Sequence, residues 1–170
     1  MAQFFAIHQD NPQVRLIQQA SDCIQQGGVV VIPTDSGYAL SCALENKRGV
    51  ETIRQIRRLD EKHNFTLLCR DLSEISVYSR VGNQEYRLLK AHTPGAYTFI
   101  LEATREVPRR LMHPKRKQIG IRVPDNQIAL DLLGNIGEPL MTSSLMLPNE
   151  EMPMTDPYEI MEILGHTLDL

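Results

Sequence analysis

At 170 residues the chain fits one domain and is long enough to bury a proper core. Apolar residues make up 42% and charged residues 23%, the balance of an ordinary globular protein, which argues against disorder and against a membrane class. No apolar run exceeds four residues, far too few for a transmembrane helix, and the net charge of −3 is small but unevenly distributed.

Taken in chain order, helical and strand-like segments alternate throughout, the pattern of an α/β domain. Phe4 to Ile7 is a short predicted strand. Asn11-Pro12 then opens a helix, with Asn as cap and Pro in the first turn. Leu16, Ile17, Ala20, Cys23 and Ile24 form its apolar face, and Gly27-Gly28 ends it. The β-branched run Val29 to Ile32, bounded by Gly and Pro, predicts a buried central strand. Further helices are expected over Asn46 to Arg57, Gln84 to Ala91, Gln127 to Asn135 and from Asp156-Pro157 to Leu164. Further strands are expected over Phe65 to Cys69, Tyr97 to Leu101, Gln118 to Val123 and Leu140 to Ser143. No repeat, linker or low-complexity stretch divides the chain.

Cys23, Cys42 and Cys69 are odd in number and widely spaced, which predicts reduced thiols and a cytoplasmic protein. No secretory signal is read at the N-terminus, so neither export nor a membrane partner is expected. His8, His63, His92, His113 and His166 show no ligand spacing, so no protein-bound metal is expected.

Charge is segregated along the chain. Arg105, Arg109, Arg110, Lys115, Arg116, Lys117 and Arg122 face one acid in their stretch, Glu106. From Pro148 onward come Glu150, Glu151, Asp156, Glu159, Glu162 and Asp169 without a Lys or Arg. Such separation produces either solvated faces or one basic surface that attracts phosphates.

Polar residues gather where strands end: Pro33 to Tyr38 after one, Arg122 at another, Thr142-Ser143-Ser144 at a third. Ligands of open α/β sheets sit beyond strand ends. The glycine-rich phosphate loops GxxxxGK[ST] and GxGxxG are both absent, so a nucleotide would be held by side chains. Thr34 to Gly37 also reads as a strand-ending turn, and Thr98 as an ordinary strand residue. Arg122 closes an apolar strand, where a charge requires a partner.

Four ordered blocks carry a family resemblance. Gly27 to Leu40 is similar to the opening block of the YrdC/YciO family, an apolar strand followed by Pro-Thr-Asp and a Tyr. Thr93-Pro94-Gly95-Ala96-Tyr97-Thr98 resembles its Pro-Gly-Pro-x-Thr strand, and Ile119 to Pro124 its Arg-x-Pro strand. Glu138 to Ser144 resembles its Pro-Leu-x-x-Thr/Ser-Ser-Ala-Asn segment. The match is nearest to the YciO branch. It implies a twisted open mixed sheet with flanking helices around a concave basic cavity, residues 1–170 forming a single YrdC-like domain without the C-terminal strands with which the family usually continues.

The same resemblance implies an activity: threonylcarbamoyl-adenylate made from threonine, bicarbonate and ATP with Mg²⁺, releasing pyrophosphate, for tRNA modification. The alternative it implies is a module of this fold that binds double-stranded RNA or tRNA with little catalysis. Carried over residue by residue, Thr34, Thr98, Arg122 and Ser143 would be catalytic. Tyr38 and Ser144 would bind substrate, with Arg57, Arg58 and Lys62 as candidates for the family's basic pair. The RNA expectation rests instead on the basic stretch: Arg109, Arg110, Lys115, Arg116 and Lys117, lining the rim of the hollow, would bind RNA phosphates. Two positions depart from the family: the basic pair has a longer spacing to the following strand, and Leu145 stands where the family has Asn.

Overall fold

The computed structural model describes residues 1–59 and 65–170. Its strands are β1 (Val30–Thr34), β2 (Gly37–Ala43), β3 (Thr66–Leu68), β4 (Phe99–Glu102), β5 (Gln118–Arg122) and β6 (Leu140–Ser144). They form a mixed sheet in the order β1-β2-β6-β3-β5-β4, in which β3 and β5 are parallel and the other neighbours antiparallel. The helices are α1 (Val14–Gln25), α2 (Lys47–Arg57), α3 (Leu72–Tyr78), α4 (Asn83–His92), α5 (Gln127–Ile136) and α6 (Pro157–Leu164).

Period-two alternation gives the sheet two faces. One carries Val30, Ile32, Ala39, Leu68 and Leu140, which pack against Ala20 and Ile24 of α1 and Ala129, Leu132 and Leu133 of α5. The other carries Leu40, Cys42, Leu67, Ile119, Ile121 and Met141, packed with Val50 and Ile53 of α2 and Ile160 and Leu164 of α6. Thr66 lies opposite Gly120 on one side and Thr142 on the other, and Thr142 lies opposite Ser41. These residues form a polar row on the first face, beside the aliphatic residues covered by α1 and α5.

Helix ends follow local chemistry. The side chains of Asn46, Asn126 and Asp156 accept N–H groups of Gly49, Ala129 and Tyr158 respectively, each satisfying a donor that the helix leaves unpaired. Pro157 occupies the first turn of α6, as its sequence predicts. Gly137 ends α5 with φ +83°, a left-handed conformation that costs glycine little.

Several expectations are corrected. The run Val29 to Ile32 is not central: β1 lies at the sheet edge. Val30 and Ile32 are buried on one face while Val31 on the other is half-buried, and Pro33 fits an edge because it has no N–H to give a ladder. Phe4 to Ile7 forms no strand; Ala2 and Gln3 donate to Gly165 and Asp169 carbonyls, and Phe4 stacks on Tyr158 with ring centroids 5.2 Å apart. The outer edge of β1 is met instead by the segment 169–170, through Asp169 N–H to Val29 O and Val31 N–H to Leu170 O. Helix α1 begins at Val14 rather than Asn11, because Asp10 and Asn11 donate to His8 Nδ1 and form a turn of their own. Strand β2, helix α3 and a 3-10 turn at Arg109–Leu111 were not anticipated. Among the described residues no helix is long and apolar enough to cross a membrane.

Candidate functional site

The β1–β2 turn is the first wall of the site. Thr34 Oγ1 donates to Gly37 O at 2.6 Å and accepts from Ser36 N–H at 3.2 Å, while Gly37 adopts φ +117°, which favours glycine. Asp35 and Ser36 therefore project from a tight, self-bonded turn. Arg122 meets them from the end of β5. Its Nη1 donates to Ser36 Oγ at 2.6 Å, its Nη2 is ion-paired with Asp35, and its Nε donates to Gly95 O at 3.4 Å. The Arg122 and Asp35 side chains are only 11% and 15% exposed, so this charge-assisted pairing is largely removed from solvent.

The floor is the polar row. A Cβ on Gly120 would lie 2.8 Å from Thr66 Oγ1 and 3.2 Å from Thr98 Cγ2, so the absence of a side chain lets those two threonines converge above β5. Thr142 Oγ1 donates to Thr66 O at 3.1 Å. Ser143 Oγ accepts from Arg57 Nη1 at 2.6 Å, and Arg57 Nε donates to Met146 O at 3.3 Å. Burial pushes the Arg57 guanidinium down from the usual arginine range.

These groups enclose a cavity of about 50 Å³ lined by Thr34, Ser36, Tyr38, Thr66, Thr98, Arg122, Thr142, Ser143 and Ser144, with Pro153 across it. Thr34, Tyr38, Thr98, Arg122, Ser143 and Ser144 were anticipated and come together here. Ser36, Thr66, Gly120, Thr142 and Pro153 were not. The alternation that places Thr66 and Thr142 on one face with Arg122 was the available signal for two of them.

The basic candidates divide. Arg57 reaches Ser143, but Arg58, held at φ +54° as the cap of α2, lines a separate groove of about 1000 Å³ with Lys47, Arg54, Arg109 and Arg110. Lys62 lies outside the described residues. Arg110 is in part a structural tie: its Nη2 donates to Leu44 O at 2.7 Å and lies 3.6 Å from Glu45. Lys115, Arg116 and Lys117 are exposed in the turn before β5, where His113 Nδ1 accepts the N–H groups of Lys115 and Arg116, and they do not line the groove. A third hollow, of about 360 Å³ between the N-terminal segment, β1 and α6, has no charged side chain in its wall.

Leu145 does not enter the site at all. It is fully buried in the main core, with its N–H on Tyr38 O and its carbonyl accepting Met154 N–H. Among the described residues no group of three His, Cys, Asp or Glu side chains is placed to hold a metal ion.

Comparison with known proteins agrees with this architecture. Residues 22–170 match the family model of the Sua5, YciO and YrdC proteins, whose description is Telomere recombination. The chain is 58% identical to YciO of Escherichia coli over 170 residues, covering all of this chain and 82% of that protein. The crystal structure of the same E. coli protein superposes with a TM-score of 0.97. A threonylcarbamoyl-AMP synthase of Mus musculus is 27% identical over 127 residues, 75% of this chain and 45% of the mouse protein. Sua5 of P. abyssi, crystallised with L-threonine, shares the fold at a TM-score of 0.85 and 20% identity, over 94% of this chain and 47% of its own. By the family match and by the sheet that carries its polar strand ends, the chain belongs to the Sua5/YciO/YrdC family.

Proposed function

We propose that the cavity at the strand ends binds threonine and ATP, and that the chain makes threonylcarbamoyl-adenylate. The observation that carries this reading is convergence: Thr34 of β1, Thr98 ahead of β4, Arg122 of β5 and Ser143 of β6 meet at one cavity from separate strands. The reaction joins a carbamate oxygen, formed from threonine's amine and bicarbonate, to the α-phosphorus of ATP while the bond to the leaving pyrophosphate breaks. Two anions must be held against each other, which demands fixed cationic and hydrogen-bonding groups. Arg122 supplies a planar fork for carboxylate or phosphate. Ser143, oriented by Arg57, hydrogen-bonds phosphate; Thr98 contacts the carbamate; Thr34 and Tyr38 shape the amino-acid pocket. Mg²⁺ arrives in this reading on the phosphates of ATP. The synthase name of the mouse relative and the threonine bound by the P. abyssi protein of the same fold support the substrate class.

The test is pyrophosphate release with threonine, bicarbonate and ATP, each omitted in turn. Arg122→Ala should lower ATP affinity at least about tenfold, and Lys should restore it only partly, because a point charge does not replace a fork. ATP affinity unchanged in the alanine variant would take Arg122 out of the site.

A second reading has its own observation. The groove with Lys47, Arg58 and Arg109 on its rim suits the phosphate backbone of double-stranded RNA or tRNA, read by shape rather than by base edges.

A further inference from the structure

Arg122 is the cation on which the proposed function rests, yet its fork is already engaged. Nη1 is on Ser36, Nη2 is on Asp35, and Nε is on the Gly95 carbonyl. Asp35 is not a solvated loop charge, since its side chain is 15% exposed. Beyond the turn itself, the side-chain bonds of Asp35 and Ser36 among the described residues run to Arg122. The cavity beside them, about 50 Å³, has room for one or two waters, whereas small-molecule sites measure roughly 300–1,000 Å³. A ligand anion that takes the Arg122 fork therefore has to displace what holds it.

We propose that Asp35 is a built-in occupant of the Arg122 fork, a carboxylate that stands in for the ligand's anion and swings out with the β1–β2 turn when that anion binds. This rests on the reading that Arg122 receives a ligand carboxylate or phosphate. Exchange of one anion for another keeps the guanidinium paired, so neither state leaves a buried charge uncompensated. The turn is suited to the motion: its internal bonds, Thr34 to Gly37 and Ser36 to Thr34, can travel with it, and only the Arg122 contacts need to break. The device also selects. An anion that can engage both Nη groups competes with Asp35 and Ser36 together, whereas a monodentate one replaces a single contact and gains little.

The experiment is calorimetric titration of the full chain with inorganic pyrophosphate, alongside thermal melts. The proteins compared are wild type, Asp35→Asn, Ser36→Ala and the double variant Asp35→Asn/Arg122→Ala. A closed latch lowers apparent affinity by the fraction of open molecules, so Asp35→Asn should tighten pyrophosphate binding about tenfold and the double variant should abolish the gain. Ser36→Ala, which leaves the ion pair in place, should tighten binding about threefold, the scale of one hydrogen bond, and decides the matter should Asp35→Asn fail to fold. Weaker or equal binding in the folded variants would make Asp35 a positioning residue and overturn the proposal. So would a gain that survives loss of Arg122, or pyrophosphate bound by none of the four. Tightening that depends on Arg122, in proteins that release no pyrophosphate from ATP, threonine and bicarbonate, would uphold the latch while removing the synthase reading.

Discussion

Leu145 and Gly120 illustrate opposite relations between a residue and the site. Gly120 contributes by having no side chain, since a methyl group there would press on Thr66 and Thr98. Leu145 contributes by leaving: its side chain fills the core and fixes the start of the segment that returns at Met154 to place Pro153 over the cavity. Installing the family's Asn at position 145 would therefore put an amide among aliphatic neighbours. We expect Leu145→Asn to destabilise the fold by roughly 2–5 kcal/mol, through lost burial and an unsatisfied polar group, with no gain in any activity. A urea melt of the variant that matched wild type would show that position 145 tolerates an amide and can face the site.

At the scale of elements, α3 shows how a buried charge at a helix start shapes stability. Glu74 is 6% exposed, accepts Arg70 N–H at 3.0 Å and lies 3.6 Å from the Arg70 side chain. Burial raises its carboxyl above the ordinary 4.5, against the opposing pull of Arg70. A group that holds its proton more tightly when folded stabilises fully below its unfolded value, and that contribution is lost as pH rises through the raised folded value. Relative to wild type, Glu74→Gln should therefore gain stability as pH rises from below the ordinary carboxylate value through the raised folded one. Denaturant melts at a series of pH values measure it, and a difference that stays constant would place the Glu74 carboxyl in solvent.

Elements whose patterns are unambiguous were legible in the sequence. Helix α2 with its Asn46 cap, α5 ending before Gly137, and α6 opening at Asp156-Pro157 are all local decisions made by adjacent residues. Strand β2 was hidden because Ala39-Leu40-Ser41-Cys42 is buried on both faces and lacks alternation. The edge position of β1 was hidden because the unbroken apolar run Val29 to Ile32 imitates a central strand, although Val31 is only half-buried. Of the site, the residues at strand ends could be read, but the pairing of Arg122 with Asp35 could not, since it depends on how β1 and β5 are placed across four intervening strand contacts.

Across the whole molecule, the basic stretch anticipated as one rim is divided among different surfaces. Arg109 joins Arg58 and Lys47 along a groove, while Lys115, Arg116 and Lys117 sit in a separate exposed turn. If duplex RNA uses the groove, replacing Lys47, Arg58 and Arg109 by Ala should flatten the salt dependence of binding by up to about three phosphates' worth. The same change at Lys115, Arg116 and Lys117 should flatten it less. Titrations at several salt concentrations compare the two, and equal slopes in wild type and the groove variant would send the RNA reading elsewhere.

Asp169 ties three remote stretches together at once. Its carboxylate accepts Val29 N–H at 2.9 Å, its own N–H reaches Val29 O, and its carbonyl accepts Gln3 N–H. Strand β1, which presents Thr34 to the site, is thus secured on its outer side by two residues, Asp169 and Leu170, rather than by a long ladder. Opening there should be concerted: in Asp169→Ala the amides of Gln3, Val29 and Val31 should exchange with solvent deuterium together and well before those of β5, as one cooperative unit. Independent exchange rates at the three amides would dissolve that unit. Through β1, the mobility of the turn that carries Asp35 and Ser36 would then be set from the far side of the strand, by a residue remote from the candidate site.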